Sequence, residues 1–372
     1  MSALTPLERS LLLLTALLTA LAGIANYGQW AAVPRFALAT LALAGLAWIV
    51  SFATEQLGER FGPGVTGLMQ STLGNLPELF VVIFALQKGE LVVAQTAIVG
   101  SVLANALLVL GLVIIVGARR APDGIMRFSR RLPRDTATLL QLTAFIIVLL
   151  GLSLAAKDPA SHHVNEISII GAISLLVVYL AWVVPYVRAD ILPGASDPSV
   201  LAAAGDLQAP ALEEPEAGSP RLSLATTLTL LVIAGTGSAF VSDWFINGLA
   251  PAIGQLHISQ AFAGLVIVAI AGNAVENTAG LVLAWKGRSD LAISVVKNSV
   301  AQIAAFLFPV LVLVSFALAT TLTFALAPIY IGAFLLTALA LAQITGDGEA
   351  AEFEGWALVA TYVILAAVAL YE

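Results

Sequence analysis

Residues Gly74–Gly111 read GNLPELFVVIFALQKGELVVAQTAIVGSVLANALLVLG, and residues Gly272–Pro309 read GNAVENTAGLVLAWKGRSDLAISVVKNSVAQIAAFLFP. Moving the first stretch on by 198 residues lays Gly74, Asn75 and Glu78 on Gly272, Asn273 and Glu276. The same move lays Lys88–Gly89 on Lys286–Gly287 and Ser101 on Ser299, without a gap. A shared Gly-Asn-x-x-Glu inside two apolar stretches marks an internal repeat, and a repeat decides the architecture before any local reading does. Each glutamate sits in a run otherwise apolar enough to lie in lipid. A carboxylate at that depth is costly unless it is paired, protonated or facing a wet cavity, so its default reading is functional. Duplicated polar sites in the two halves of an apolar chain point to a transporter with its site at the repeat interface.

Composition agrees with burial in a bilayer. The 372 residues are 60% hydrophobic and only 10% charged, with mean hydropathy +0.99. A soluble chain carries about a quarter charged residues, so the sequence is that of an all-α polytopic membrane protein with no sizeable soluble domain. The net charge of −7 matters less than where the charges fall. There is no cysteine, which excludes disulfides, thiolate metal sites and cysteine nucleophiles. His162, His163 and His257 fall near span ends, away from any buried imidazole site. Met1–Tyr27 carries Glu8 beside Arg9 and is followed at once by further apolar runs, so it reads as a retained first helix rather than a signal peptide.

Cutting the apolar runs at about 20 residues per crossing gives about eleven transmembrane helices. They cover 10–27, 34–57, 62–87, 92–117, 136–156, 166–187, 223–247, 260–285, 290–316, 321–343 and 353–371. With the N-terminus in the cytoplasm, twelve Lys and Arg residues fall in inside segments and three (Arg35, Lys88, Lys157) in outside ones, with Lys297 inside a span. That satisfies the positive-inside rule and leaves the C-terminus outside. Glu78 and Glu276 are then five crossings apart, an odd number, so the two copies run through the bilayer in opposite directions. The expected plan is an N-terminal extra helix (1–33), a first five-helix half (34–188), a linker (189–222) and a second five-helix half (223–372), the halves being inverted repeats. The linker holds Pro193, Pro198, Pro210, Pro215 and Pro220 among six acids. It reads as an aperiodic cytoplasmic tether; calcium sensing by its acids is the sharper and less economical reading.

In each copy Asn and Glu are three residues apart, which places them on one face of a helix. Pro77 directly precedes Glu78 and is expected to kink that helix and free a carbonyl. Carboxylate, amide and carbonyl oxygens are hard ligands of the kind calcium and sodium prefer. Ser101 and Asn105 share a face of the next helix, and Asn298, Ser299 and Gln302 supply matching oxygens in the second copy. Gln95 and Asn105 also fit plain helix-to-helix hydrogen bonding. Glu55 and Asp243, near the ends of corresponding helices, are accessory candidates for proton transfer, or are simply hydrated. Two carboxylates sharing a cation site cannot comfortably both stay charged once the cation leaves, so at least one takes up a proton. Gly62-Pro-Gly-Val-Thr-Gly67 matches a dinucleotide fingerprint in letters only, since no strand precedes it. No Walker motif, nucleophile–base pair or cofactor fingerprint is present, so an enzyme, a nucleic-acid binder and a primary ATP-driven pump are all disfavoured.

At these residues the sequence resembles the calcium/cation antiporter superfamily, and within it the calcium/proton exchanger branch. The motifs that carry the likeness are Glu55-Gln-Leu-Gly-Glu-Arg, Gly74-Asn-Leu-Pro-Glu78 and Gly100-Ser-Val-Leu-Ala-Asn105 in the first half. In the second half they are Gly272-Asn-Ala-Val-Glu276, Asp290-Leu-Ala and Gln302-Ile-Ala. The resemblance implies a central site in which Glu78 and Glu276 bind Ca2+ or protons alternately, with Asn75, Asn273, Ser101 and Ser299 around them. It implies no cofactor beyond the transported Ca2+ and H+, and residence in the cell (inner or plasma) membrane; oligomeric state stays open. Two departures stand out. Asn277 replaces the branch's usual histidine, and Lys297-Asn-Ser-Val replaces its usual Gly-Ser-Ser. A lysine inside a span is rarely filler. Facing the site, Lys297 would leave two carboxylates and one ammonium, a charge that suits a monovalent cation. Facing away, it would snorkel or pair elsewhere. The expected function is Ca2+/H+ antiport by alternating access. A Na+ or K+/H+ antiporter and a transport-inactive binding or sensing relative are the alternatives.

Overall fold

The structure is a computed structural model that describes residues 4–58, 60, 69, 73–129, 131–191 and 221–372, without the side chains of 58, 131–133, 185–191, 275 and 276. The expected linker therefore lies almost wholly outside the described residues. The described helices in chain order are α1 (Pro6–Tyr27), α2 (Ala32–Gly58), α3 (Leu76–Gln87), α4 (Leu91–Arg120), α5 (Arg131–Ala156) and α6 (Val164–Ile191). They continue as α7 (Leu224–Leu256), α8 (Gln260–Gly272), α9 (Ala274–Trp285), α10 (Ser289–Ser315), α11 (Pro328–Thr345) and α12 (Glu352–Leu370). Among the described residues nine helices are long and apolar enough to cross a membrane, or ten if the bent pair α8–α9 counts as one span. The expected third span, 62–87, falls partly outside the described residues and is represented by α3.

The 198-residue offset seen in the sequence recurs in the backbone. α2 ends at Gly58 and α7 at Leu256; α3 covers Leu76–Gln87 and α9 Ala274–Trp285; α4 opens at Leu91 and α10 at Ser289. The turns between them repeat too: Gly89 (φ 80°) and Gly287 (φ 75°) hold the left-handed conformation that a residue with a Cβ resists. Both α4 and α10 widen into a π turn at the same place, Ala104–Val109 and Ile303–Leu307. A π turn adds a residue to one coil and re-aims the side chains around it, and such turns gather at functional sites.

α2 packs along α7, one helix from each half, and α1 lies against both. Gly45 lets Thr15 of α1 approach α2, and Gly23 lets Trp244 of α7 approach α1. Contacts between element ends fall into two sets. At one end Arg221 pairs with Glu8 (2.9 Å), Arg60 donates to Leu222 O (2.5 Å) and Arg119 pairs with Glu352 (2.8 Å). There, strand β1 (Ile125–Arg127) also pairs antiparallel with β2 (Glu349–Ala351). At the other end Gln260 donates to Glu90 (2.9 Å), Ser259 to Ala369 O and Tyr330 to Glu372.

Two span expectations need correction. The tenth span does not start as a helix at 321: the helix starts at Pro328, and residues 316–327 run as irregular chain, exposed at Phe316, Ala317 and Ala319 and buried at Leu322, Phe324 and Leu326. Proline fits the first turn, where no amide hydrogen is needed, but not the interior. The backbone ahead of it finds side-chain partners instead: Leu322 N donates to Ser315 Oγ (2.9 Å), Phe324 N to Ser168 Oγ (3.3 Å), and Gln95 Nε2 to Ala325 O (3.0 Å). Non-helical backbone within a membrane protein is tolerated only where it is satisfied in this way, and Gln95 is thereby placed as structural. The seventh span is also longer than expected, running to Leu256 with Pro251 inside it.

Candidate functional site

The Gly-Asn pair interrupts the chain in both copies. Asn75 caps α3 with φ −90° and ψ 12°, and Asn273 separates α8 from α9 with φ −101° and ψ 18°. The axes of Gln260–Gly272 and Asn277–Trp285 differ by 57°. The expected proline kink is therefore corrected. Pro77 occupies the first turn of a new helix, and the second copy breaks at the same position with Val275 where the first has proline. Nor do Asn75 and Glu78 share a face within one helix, because Asn75 stands before the helix begins. Glu78 and Glu276 are each the third residue of a helix, where unpaired amide hydrogens and the helix dipole favour negative charge. The side chain of Glu276 lies outside the described residues.

Glu78, 4% exposed, is the centre of a buried network that joins the halves. The Ser101 hydroxyl donates to Glu78 Oε1. Asn273 Nδ2 donates to the same oxygen (2.6 Å), to Ser101 Oγ (3.0 Å) and to Ala269 O (2.9 Å). Asn105, at the start of the α4 π turn, donates from Nδ2 to Asn273 Oδ1 (3.0 Å) and to Ser299 Oγ (3.1 Å). Glu78, Ser101, Asn105, Asn273 and Ser299 are all buried, and so is Asn75, whose carbonyl accepts from Leu79 N (2.9 Å). A cleft lined by Val82, Ala97, Ile98, Ile303 and Leu307 adjoins Glu78 and Ser101. Among the described residues no three acidic or imidazole side chains converge. The groups around Glu78 are one carboxylate with neutral hydroxyls and amides, whose oxygens are of the kind a hard cation takes, although Asn273 turns Nδ2 rather than Oδ1 to Glu78.

Space for the carboxylate is made by Gly272, a residue of the repeat motif to which sequence reasoning assigned no role. A Cβ there would lie 2.8 Å from Glu78 Cγ and 3.2 Å from Oε1. Gly272→Ala is expected to displace Glu78 and raise the KM for the transported cation about ten-fold, the equivalent of ~1.4 kcal/mol, in a flux assay. An unchanged KM would show that Glu78 does not need its present position.

The accessory candidates are dispersed. Asn298 and Gln302 are half-buried on α10 and make no hydrogen bond to the Glu78 network; the buried Oδ1 of Asn298 has no partner among the described residues. Glu55 is exposed near the end of α2. Asp243 is not a lone acid: Lys88 Nζ lies 2.5 Å from its Oδ1 and 2.6 Å from Asn247 Oδ1, and Asn247 Nδ2 donates back to Asp243 Oδ2 (3.0 Å). Lys297 is fully buried, and its Nζ donates to Thr345 Oγ1 (2.9 Å), whose own hydroxyl donates to Leu341 O (2.6 Å). Of the two directions open to it, this lysine takes the one towards α11, away from the Glu78 network. No sequence signal marks Thr345 as its partner, since the two lie 48 residues apart.

Residues 31–186 and 226–371 match the family described as sodium/calcium exchanger protein, and the chain belongs to that family. It is a membrane transporter of the calcium/cation antiporter superfamily, in the calcium/proton exchanger branch, and not an enzyme. It is 30% identical over 347 residues to a vacuolar calcium ion transporter of Schizosaccharomyces pombe, covering 92% of this chain and 80% of that one. It is likewise 30% identical over 350 residues to a Ca(2+)/H(+) antiporter of Synechocystis, covering 92% of each. The solved structure of native YfkE superposes with a TM-score of 0.77 at 25% identity, covering 97% of this chain and all of that one.

Proposed function

We propose that the chain exchanges Ca2+ for protons by alternating access, exporting Ca2+ across the cell membrane, with Glu78 and Glu276 as the carboxylates that hold cation and proton in turn. The observation that carries this reading is the single buried hydrogen-bonded set running from Glu78 through Asn273 and Asn105 to Ser299, which draws on both copies of the repeat. Relatives bearing the name Ca2+/H+ antiporter along nearly their whole length supply the choice of ions. When the cation leaves, a carboxylate pair at one site lowers its repulsion by taking up a proton, and this couples the two fluxes.

The end contacts support eleven crossings with the N-terminus inside. If the end bearing Arg221–Glu8 is cytoplasmic, α3 rises away from it and α9 descends towards it. Glu78 and Glu276 then enter from opposite faces, as inverted repeats require. The reading keeps the units 1–33, 34–188, 189–222 and 223–372. The direction of Lys297 favours calcium over the monovalent alternative, because its amine is hydrogen-bonded to Thr345 and adds no donor to the Glu78 network.

The test is proton flux in liposomes driven by Ca2+, Mn2+, Na+ or K+ in turn, for wild type beside Lys297→Ala. Ca2+-driven flux in both proteins is the expected result. Na+- or K+-driven flux without a Ca2+ response would overturn the assignment of the ion. Silence with every ion, relieved by Lys297→Ala, would make the chain a disabled relative.

A further inference from the structure

The hydrogen bonds around Asn273 leave its cation-binding atom facing the wrong way. Only an amide oxygen can bind a cation, yet Asn273 turns its amino group to Glu78 and its oxygen to Asn105. The assignment of its two ends is fixed by Ala269 O, 2.9 Å from Nδ2: a backbone carbonyl only accepts, so an amide oxygen in that place would be repelled whether or not Glu78 carries a proton. Asn105 is forced in turn, since it must offer a donor to Asn273 Oδ1. Ser299 also accepts from Asn105, so one of its lone pairs is occupied. The leftover atom is Asn105 Oδ1. Asn105 is fully buried, and this oxygen has no hydrogen-bond partner among the described residues. An idle buried acceptor is costly and calls for an explanation.

We infer that Asn105 is an amide relay whose half-turn converts Asn273 and Ser299 from the hydrogen-bonding partners of an empty site into ligands of the bound cation. The inference rests on the proposed function and deepens it. A cation beside Glu78 repels the Asn273 amino group and attracts its oxygen, so the Asn273 amide rotates by half a turn. Its amino group then faces Asn105 and needs an acceptor. The matching rotation of Asn105 brings its idle Oδ1 round to accept from Asn273 Nδ2. The same oxygen accepts the Ser299 hydroxyl, which now donates and keeps its lone pairs for the cation. One end of Asn105 is unpaired in either register, first the oxygen and then the amino group. Asn105 therefore gains and loses alike, whereas Asn273 gives up its bonds to Glu78, Ser101 and Ala269 O; the empty site holds the first register, and the cation's own bonds bring in the second, as a switch requires. An asparagine serving only as a fixed tie between helices would have both ends occupied in one register. In this account Asn105 is a positioning residue: it acts through Asn273 and Ser299.

The experiment is a double-mutant cycle on the KM for Ca2+ in reconstituted full-length protein, with Asn105→Leu, Ser299→Ala and the pair. Asn105→Leu is expected to raise KM about ten-fold, the value of one polar contact near 1.4 kcal/mol. Adding Ser299→Ala is expected to change it by less than about two-fold further, because the hydroxyl has already lost its switching partner. Full multiplication of the two effects would overturn the relay, as would a wild-type KM in Asn105→Leu. If Asn105→Leu does not assemble, Asn105→Ser takes its place in the cycle under the same criteria. A second readout separates switching from mere support: the infrared difference between Ca2+-loaded and Ca2+-free protein carrying 13C-labelled asparagine side chains. Shifted carbonyl bands that disappear in Asn105→Leu are expected, and bands indifferent to that substitution would overturn the relay. Glu78→Gln is run alongside: surviving flux there defeats the site assignment itself, whereas the relay is judged on the cycle.

Discussion

Glu78→Gln is expected to abolish cation-driven proton flux while leaving the protein folded. Glutamine matches glutamate in shape, and its side-chain oxygen still accepts from Ser101 and Asn273, so the buried contacts that now end on Oε1 have an acceptor. Only the charge and the titratable proton are lost. Affinity for a divalent cation changes by decades with the number of charged ligands, so the fall in affinity is on the order of 100-fold, and proton exchange at that position ends altogether. Glu276→Gln is expected to match it, because Glu276 holds the corresponding place in the first turn of α9. Flux in liposomes, with thermal stability in detergent as the check on folding, decides the matter. Undiminished flux in either variant would remove that glutamate from the mechanism.

The second large effect is expected in assembly. At Gly100 of α4 an added Cβ would lie 2.5 Å from Leu265 Cα and 2.6 Å from Leu265 O, both backbone atoms of α8. Reciprocally, a Cβ at Gly264 would lie 2.0 Å from Thr96 Oγ1 and 3.0 Å from Ala97 N. The two helices touch through their main chains, an arrangement that small residues permit in membranes. α8 has little room to retreat, since Tyr362 of α12 donates to Leu265 O (3.2 Å) from a buried position. Gly100→Ala and Gly264→Ala therefore force a helix shift across the boundary between the halves. Each is expected to cost about 3 kcal/mol, the upper range for overpacking, seen as a lower melting temperature and a loss of monodisperse protein on size exclusion. Wild-type stability in both would mean that this crossing is looser than it looks.

Much of the site was legible because a duplicated polar motif in an apolar chain has few bland explanations. Glu78, Asn273, Ser101 and Ser299 are connected in space as the 198-residue offset implies, and Asn105, readable as mere helix tie, is what connects the copies. What stayed hidden depends on geometry that letters do not encode. In the sequence Pro77 masks the break at Asn75, since proline is a loud signal and a cap that recurs at Asn273 beside Val275 is a quiet one. The π turns leave no mark in composition. The direction of Lys297 and the capture of Asp243 by Lys88 are set by residues 48 and 155 positions away, beyond the reach of helical periodicity. The start of α11 is invisible in the letters because an apolar run looks the same whether it coils or runs irregularly.

That hidden run bears on how the protein is made. Residues 321–327, which alternate into the interior at Leu322, Phe324 and Leu326, have no helix to satisfy their own backbone, and hydrocarbon offers no substitute. Two of the side chains that serve them, Gln95 and Ser168, belong to helices synthesised more than 150 residues earlier. The first half must accordingly be in place, with those groups presented, before the second can settle. A chaperone or insertase that releases the nascent chain too early would leave this stretch stranded, whatever the apolarity of the spans on either side.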